Sequence, residues 1–292
     1  MSTGFDMKTL AVLACAAVSL VPSSTIAASG PEMVDLELVI ATDSSGSIGD
    51  EEAAVQRQGV AAAFRNPEIA KIISLGSYGK IAVAYLDWSN QFDNTVVVDW
   101  MIIRNKETAE EFATKLVEQP RTYGRRTHIS SAIISGMELI ENNNYQGTRR
   151  TIDISGDGPN NGGLPLAPVR EEAIAKGITI NGLPILIDEG GYGDANSAGI
   201  DQYYARCVIG GRGSFAIVAR GFNDFARAVR RKLILEISGL VPEPRYAQAG
   251  NPPVRDLPLP PGVLRAPAER DQNCDEMRGG FGGFGDFRGF GR

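Results

Sequence analysis

Histidine is nearly absent from this sequence, since His128 is the only one among 292 residues. A zinc site built from several histidines is therefore excluded, and a Ser-His-Asp hydrolase would depend on this one residue. Basic residues are also in the minority, with 29 Lys and Arg against 35 Asp and Glu and a net charge of −6. Because broad nucleic-acid binding needs a positively charged surface, that class of function is disfavoured.

Several catalytic signatures are missing as well. The sequence contains no phosphate-binding loop and no Rossmann glycine fingerprint. A hydrolase motif of the G-x-S-x-G type would need a glycine two residues before Ser47, where this chain has Ser45. The stretch "DISGDGPNNGGL" begins like a calcium loop, but Leu164 stands where a bidentate glutamate is required. We therefore assign no catalytic residue from sequence motifs.

Long apolar runs are confined to the N-terminus. Lys8 precedes "TLAVLACAAVSLV", and "PSSTIAAS" follows with small residues suited to cleavage near Ala27 or Ala28. The run is too short for a permanent membrane-spanning helix. We therefore predict that residues 1–28 are a signal peptide. The mature chain would then have no transmembrane segment and would be exported to the periplasm or the cell exterior.

Cysteine is scarce, and only Cys207 and Cys274 remain after the predicted cleavage. In an oxidising compartment these two residues can pair. Two free thiols, or a bond to another chain, are the alternatives that the sequence leaves open.

Strand and helix patterns alternate between residues 34 and 239. The first strand, "VDLELVIAT", places Leu36, Leu38 and Ile40 on one face. Alternation of this kind predicts a doubly wound α/β domain, with a mainly parallel sheet and helices on both faces. Further strands are predicted at 80–88, 94–100, 149–155, 178–187 and 213–219, and helices at 50–66, 106–119, 127–143, 167–176 and 223–237.

The composition changes beyond the last predicted helix. Residues 240–278 are rich in proline and are predicted to form an extended linker. Residues 279–292 are rich in glycine, with phenylalanine at every third position from Phe281 to Phe290. We predict a disordered C-terminal tail here, with tail-mediated self-association as the alternative function.

Oxygen-bearing side chains lie on three of the connections between predicted elements. Asp43, Ser45 and Ser47 come at the end of the first strand, two residues apart, so that an extended chain aims them the same way. Asp157 follows the strand at 149–155, and Thr127 stands at the N-cap position of the helix predicted at 127–143. Ligands of α/β folds bind at the carboxyl ends of strands. The five residues are therefore either an oxygen cage for a hard cation or ordinary turn and cap residues.

The order of these residues on an α/β frame resembles a von Willebrand factor type A domain with its metal-ion-dependent adhesion site (MIDAS). Within that class, "DLELVIATDSSGSI", "EEAAVQRQGVAAAFRN", "ISGDGPNN" and "YYARCVIGG…RRKLILEI" are similar to a bacterial exported family known as the domain of unknown function DUF1194. The resemblance covers about residues 34 to 239.

The resemblance implies how the five residues would act. Ser45, Ser47 and Thr127 would offer hydroxyl oxygens to the metal, with Mg²⁺ expected and Mn²⁺ or Ca²⁺ as alternatives. Asp43 and Asp157 would act through waters or hydrogen bonds to those hydroxyls. An Asp or Glu of a protein partner would then fill the open position on the metal, so that the implied function is adhesion or scaffolding rather than catalysis.

The same residues allow two alternative functions, and one stretch of the sequence differs from the pattern of the von Willebrand factor type A class. A metal-dependent hydrolase could use the same ion to activate water, with His128 as a candidate base. A scaffold whose metal only braces the loops is the other alternative. The approach to Thr127 reads "YGRRTH", so that Arg125 and Arg126 add positive charge near the metal.

Overall fold

Strands and helices alternate along the chain, as the sequence patterns predict. The computed structural model describes Met1, residues 30–187, 199–240 and 261–267, and Cys274, and all its elements belong to a unit that begins at Pro31. The strands are β1 (Glu32–Val34), β2 (Glu37–Asp43), β3 (Ile81–Trp88), β4 (Thr95–Ile103), β5 (Tyr145–Gly147), β6 (Arg150–Gly156), β7 (Thr179–Leu186), β8 (Phe215–Ile217), β9 (Ala219–Arg220) and β10 (Val263–Arg265). The helices are α1 (Asp50–Arg65), α2 (Pro67–Ser74), α3 (Lys106–Glu118), α4 (Ile129–Glu141), α5 (Leu166–Ala175), α6 (Ile200–Tyr203), a π-helix (Tyr204–Val208) and α7 (Phe222–Ser238).

The main sheet is largely parallel. Its strand order is β10-β8-β7-β6-β2-β3-β4, and β9 also pairs with β7. Neighbouring strands from β8 to β3 run parallel, whereas β4 and β10 are antiparallel additions at the two edges. The prediction of a doubly wound, mainly parallel α/β sheet is therefore confirmed.

Strand β2 divides the core into two layers. Because successive side chains of a strand face opposite ways, Leu38 and Ile40 lie in one buried cluster and Val39 and Ala41 in the other. The first cluster contains buried residues of α1, α2, α3 and α7, and the second contains those of α4, α5 and the π-helix. The predicted placement of helices on both faces is thus confirmed.

Three local features differ from the sequence-based predictions. The helix predicted from Thr127 begins at Ile129 with His128 as its N-cap residue, so the assignment of Thr127 as the cap is wrong. Helix α2 was not predicted, although Asn66 caps it through the backbone N–H of Glu68 and proline occupies its first turn, both common helix-start signals. The proline-rich stretch predicted as a linker contains β10, which pairs with β8.

A disulfide joins Cys207 of the π-helix to Cys274, with the two Cα atoms 5.6 Å apart. Of the alternatives that the sequence left open, the structure therefore selects the intramolecular bond. The bond attaches the chain beyond β10 to the buried cluster that contains both cysteines.

The predicted signal peptide, apart from Met1, and the predicted tail at 279–292 lie outside the described residues. Within the described part of the chain, no helix has the length and apolar character needed to cross a membrane.

A buried charge cluster lies between β6 and α7. Lys232 contacts both Asp153 and Glu236, and Asn181 donates to Glu236 Oε1 at 2.7 Å. Two carboxyl groups therefore share one ammonium group in the interior. Burial and the neighbouring Asp153 raise the pKa of Glu236 to about 7, so a proton on this carboxyl relieves the excess negative charge.

We expect Glu236→Gln to flatten the pH dependence of stability. The folded chain holds the Glu236 proton up to pH about 7, whereas an unfolded glutamate loses it near pH ~4.3. The free energy of unfolding of the parent should therefore fall as pH rises through this interval. In the variant the fall between pH 5 and pH 8, measured by urea unfolding, should be smaller by at least about 1 kcal/mol.

Glu111→Gln is the matched control, because Glu111 is an exposed glutamate paired with Lys115 on α3. The unfolding free energy of Glu111→Gln should change between pH 5 and pH 8 by the same amount as that of the parent. Identical pH profiles for the parent and Glu236→Gln would contradict the assignment.

Candidate metal site

The two aspartates predicted to hold a metal lie at the ends of adjacent strands. Asp43 is the last residue of β2, and Asp157 directly follows β6. These strands pair in parallel up to the contact of Thr42 with Ser155. The pairing brings both carboxyl groups to the carboxyl edge of the sheet, where the sequence analysis expected them.

A chain of hydrogen bonds connects the predicted residues across this edge. The backbone N–H of Ser45 donates to Asp43 Oδ1 at 2.7 Å. The hydroxyl oxygens of Ser45 and Ser47 are 3.1 Å apart, and Ser47 Oγ donates to Asp157 Oδ1 at 3.0 Å. Four of the five residues therefore form one connected cluster.

Thr127 lies against the loop that carries Asp157. Its backbone N–H donates to Asn161 Oδ1 at 2.9 Å, and its carbonyl oxygen accepts from the backbone N–H of Asn161 at 2.8 Å. A Cβ added at Gly158 would lie 3.8 Å from Thr127 Oγ1. The buried threonine is thus placed beside the cluster by the loop itself.

Asp43 is a buried acid of the site whose ionisation is perturbed. Its side chain is buried, and Oδ2 has no hydrogen-bond partner among the described residues. Burial and the nearby carboxyl of Asp157 raise the pKa of Asp43 well above its usual range. A second positive or hydrogen-bonding group at Oδ2 would relieve this cost, because a buried charge is expensive unless it is paired.

Tyr204 is a site residue that the sequence analysis missed. A Cβ at Gly156 would lie 2.9 Å from the Tyr204 hydroxyl oxygen and 3.0 Å from Asp43 Oδ2, so both groups face this glycine. Among the described residues the buried Tyr204 hydroxyl has no hydrogen-bond partner. Burial, with Asp43 and Asp157 nearby, raises the pKa of Tyr204. No local sequence pattern marks this tyrosine as a site residue, because only the folding of the chain brings it close to Asp43.

A buried ion pair holds the loop that approaches Thr127. Arg57 of α1 donates to Asp87 Oδ2 at 2.5 Å and to the carbonyl oxygen of Pro120 at 2.9 Å. Thr122 Oγ1 donates to the same Asp87 oxygen at 2.6 Å. This network ties the loop between α3 and α4 to the end of β3. The sequence gives no signal of it, since the partners are far apart along the chain.

Ser89 fixes the last residues of the same loop. Its hydroxyl donates to the carbonyl oxygen of Arg126 at 2.7 Å, and its carbonyl oxygen accepts from the backbone N–H of His128 at 2.7 Å. Arg125 and Arg126 are exposed. The ring of His128 lies against Gly162, where a Cβ would fall 1.9 Å from Nε2. The loop is thus held through its backbone, which leaves the arginines at the surface.

The donor set suits a hard cation. Three hydroxyl groups and two carboxyl groups offer the oxygen ligands that Mg²⁺ and Mn²⁺ prefer. Among the described residues no three His, Cys, Asp or Glu side chains form a group that could hold a metal. The hydroxyl groups would therefore have to contribute if a metal binds here, and Asp43 Oδ2 is left without a hydrogen-bond partner among the described residues.

Comparison with known proteins places the chain in a family and a fold. The model of a family described as "Protein of unknown function (DUF1194)" matches residues 33–241. No curated protein matches the chain. The match confirms the resemblance to DUF1194, and the doubly wound sheet is the von Willebrand factor type A-like fold that this resemblance implied.

Several solved structures are similar to this chain. The pilus adhesin SpaC from Lactobacillus rhamnosus GG has 15% identity and a TM-score of 0.50, over 73% of this chain and 31% of the adhesin. Proximal thread matrix protein 1 from the mussel byssus, solved with a zinc-occupied MIDAS motif, has 15% identity and a TM-score of 0.49, over 72% of this chain and 49% of that protein. A von Willebrand factor type A protein from Catenulispora acidiphila has 13% identity and a TM-score of 0.46, over 70% of this chain and 43% of that protein. The chain thus spans half or less of these proteins, and the likeness concerns the fold.

We expect Gly156→Ala to destabilise the protein, because the added methyl group would contact the Tyr204 hydroxyl and Asp43 Oδ2 at about 3 Å. Overpacking of this kind costs about 1–3 kcal/mol of unfolding free energy. Adding Tyr204→Phe to this variant should recover part of the loss, since it removes one of the two contacts. Urea unfolding measures both effects.

Gly46→Ala is the matched control, because a Cβ there would meet its nearest atom, the carbonyl oxygen of Gly124, at an ordinary 3.6 Å. Its unfolding free energy should stay within about 0.5 kcal/mol of the parent. Equal stabilities of the Gly156→Ala and Gly46→Ala variants would show that Gly156 is not crowded by the site.

Proposed function

The chain belongs to the DUF1194 family, whose function is unknown, and we propose that it is a binding module in which a divalent cation engages an acidic side chain of a protein partner. The proposed ligand set is the one that the sequence analysis singled out: Asp43, Ser45, Ser47, Thr127 and Asp157.

One observation carries the proposal. Residues that lie 110 positions apart in sequence, Ser47 and Asp157, are joined by a hydrogen bond beside a buried Asp43 whose Oδ2 has no partner among the described residues. A cluster that served only to shape turns would need no buried pair of like charges. Such a pair raises the free energy of the folded chain unless a cation or a proton compensates it.

Each side chain has a distinct role in this proposal. The hydroxyl oxygens of Ser45, Ser47 and Thr127 would hold the cation. Asp157 would orient the Ser47 hydroxyl, whose donated hydrogen bond it already accepts, and Asp43 would orient the Ser45 backbone. The bound cation would supply positive charge and an open position for a partner's carboxylate. We propose Mg²⁺ first, with Mn²⁺ or Ca²⁺ as alternatives.

We also propose that the module works outside the cytoplasm. The signal-peptide pattern of residues 1–28 supports export. The disulfide between Cys207 and Cys274 supports it independently, because such bonds persist mainly in oxidising compartments.

We expect calorimetric titration of Mg²⁺ into the metal-stripped full chain to show one binding event that Asp43→Asn abolishes. The full chain is needed because β10 and Cys274 lie beyond the last helix. Asp50→Asn is the matched control, since Asp50 is an exposed acid at the start of α1, close in sequence but outside the ligand set. Equal heats from the parent and Asp43→Asn would remove the basis of the proposal.

Asp157→Asn separates metal binding from folding. It keeps an acceptor for the Ser47 hydroxyl but removes the carboxylate charge that, in addition to burial, raises the pKa of Asp43. In a chelator we expect this variant to melt at a higher temperature than the parent. Excess Mg²⁺ should raise the melting temperature of the parent and leave that of the variant unchanged, since only a ligand that binds the folded state stabilises it. A variant that Mg²⁺ stabilises as strongly as the parent would contradict the assigned role of Asp157.

A further inference from the structure

Three large apolar side chains are exposed on connections that also carry contacts of the candidate metal site. Phe92 is 84% exposed, Tyr123 is 69% exposed and Leu164 is 58% exposed. They belong to three different connections, between β3 and β4, between α3 and α4, and between β6 and α5. We call these three residues the rim.

Hydrogen bonds tie the connections of the rim to the site. Beside Tyr123, the backbone N–H of Gly124 donates to the carbonyl oxygen of Ser44 at 3.0 Å. The loop of Leu164 is held at Thr127 through Asn161, and the connection of Phe92 begins at Ser89, which binds the backbone of Arg126. The three connections are therefore anchored through their backbones at residues of the candidate metal site or next to them.

The chemistry of this surface defines the group that it would bind. Exposed apolar side chains grouped around a polar centre mark interaction surfaces. The proposed cation and the exposed Arg125 and Arg126 favour a negative charge at that centre. The fitting occupant is a carboxylate flanked by apolar side chains.

The chain itself carries such a segment in residues 279–292, called the tail here. Asp286 is the only acidic residue of the tail, and it stands between Phe284 and Phe287 in the stretch "FGDF". The tail lies outside the described residues, so its sequence alone enters the argument.

The disulfide fixes the position of Cys274, five residues before the tail begins. Cys274 is bonded to Cys207, three residues after Tyr204, whose hydroxyl shares the surroundings of Gly156 with Asp43. Asp286 follows Cys274 by twelve residues, which can span up to about 40 Å. A tether of this length gives an effective concentration on the order of 1 mM. Even a weak contact would therefore be populated within one chain.

We propose that the tail docks on the rim of its own chain, with the Asp286 carboxylate at the candidate metal site and with Phe284 and Phe287 against the rim. This inference rests on the proposed function, because the carboxylate needs the cation. The tail then competes with an external acidic partner, so that the chain is autoinhibited until the tail is displaced.

The test uses a fluorescent peptide of residues 279–292 and two full-length proteins in Mg²⁺. One is the parent, and the other is a tail variant with Phe284→Ser, Asp286→Asn and Phe287→Ser. We expect the peptide to bind the tail variant about tenfold more tightly, because the parent's own tail occupies the rim at millimolar effective concentration. The same peptide carrying Asp286→Asn should bind the tail variant at least about tenfold more weakly than the natural peptide.

A matched pair of substitutions in the tail variant tests the rim. Phe92→Ser should weaken peptide binding several-fold. Leu75→Ser should leave it unchanged, because Leu75 is 76% exposed but precedes β3 at the opposite edge of the sheet. Equal losses from both substitutions would overturn the assignment of the rim.

Further outcomes would overturn the inference. Equal peptide affinity for the parent and the tail variant would exclude docking of the tail in its own chain. Sedimentation of the parent as a dimer that the tail substitutions dissociate would place the tail on a second copy instead. Calorimetric Mg²⁺ binding without any peptide binding would overturn this inference and leave the proposed function intact. Absence of Mg²⁺ binding to the parent would overturn the proposed function.

Discussion

The parallel pairing of Glu37–Asp43 with a strand on each side is the constraint on which this structure depends. Its backbone hydrogen bonds to β3 and β6 determine which residues reach the carboxyl edge together. They bring Asp43 next to Asp157, so the repulsion between these carboxyl groups is imposed by the sheet and cannot be relieved by moving the backbone apart. The same pairing places the end of β3 beside Ser44, whose backbone N–H donates to the carbonyl oxygen of Trp88 at 2.9 Å. The loops around the site begin at the paired ends of β2 and β6 and at the contact between Ser44 and Trp88.

Two pairs of buried acids in this domain differ in how their negative charge is compensated. Asp153 and Glu236 have Lys232 between them, so their excess charge is met by an internal cation and a proton. Asp43 has no Lys or Arg in an ion pair among the described residues, although it is equally removed from water. The first arrangement contains its own counter-charge and lies in the core. In the second, Asp43 Oδ2 is buried without a hydrogen-bond partner among the described residues.

Local patterns predicted much of the fold, and long-range contacts account for what they missed. Apolar patterns located the strands of the parallel sheet and the long helices, because the central strands are buried on both faces and the helices bury one face. Asp43, Ser45 and Ser47 do come together, but through a turn and not through the extended alternation that the spacing suggested, since β2 ends at Asp43 and the backbone N–H of Ile48 donates to the carbonyl oxygen of Ser45 at 3.1 Å. Thr127 was assigned to the right neighbourhood but the wrong local role, since the cap position is one residue later. Tyr204 and the Arg57–Asp87 pair reach the site from elements far away in sequence, so no local pattern could reveal them.

Strand β10 covers one edge of the main sheet. Its antiparallel pairing with Phe215–Ile217 covers backbone groups of β8 that would otherwise face solvent at the end of the strand order. Open strand edges are templates for pairing with other chains, and proteins commonly blunt them with short or proline-flanked strands. Val263–Arg265 has both properties, since it is three residues long and lies between prolines at 261 and 267. This short strand, which begins 24 residues beyond the cap of the last helix, therefore has the features by which proteins limit the pairing of sheet edges with other chains.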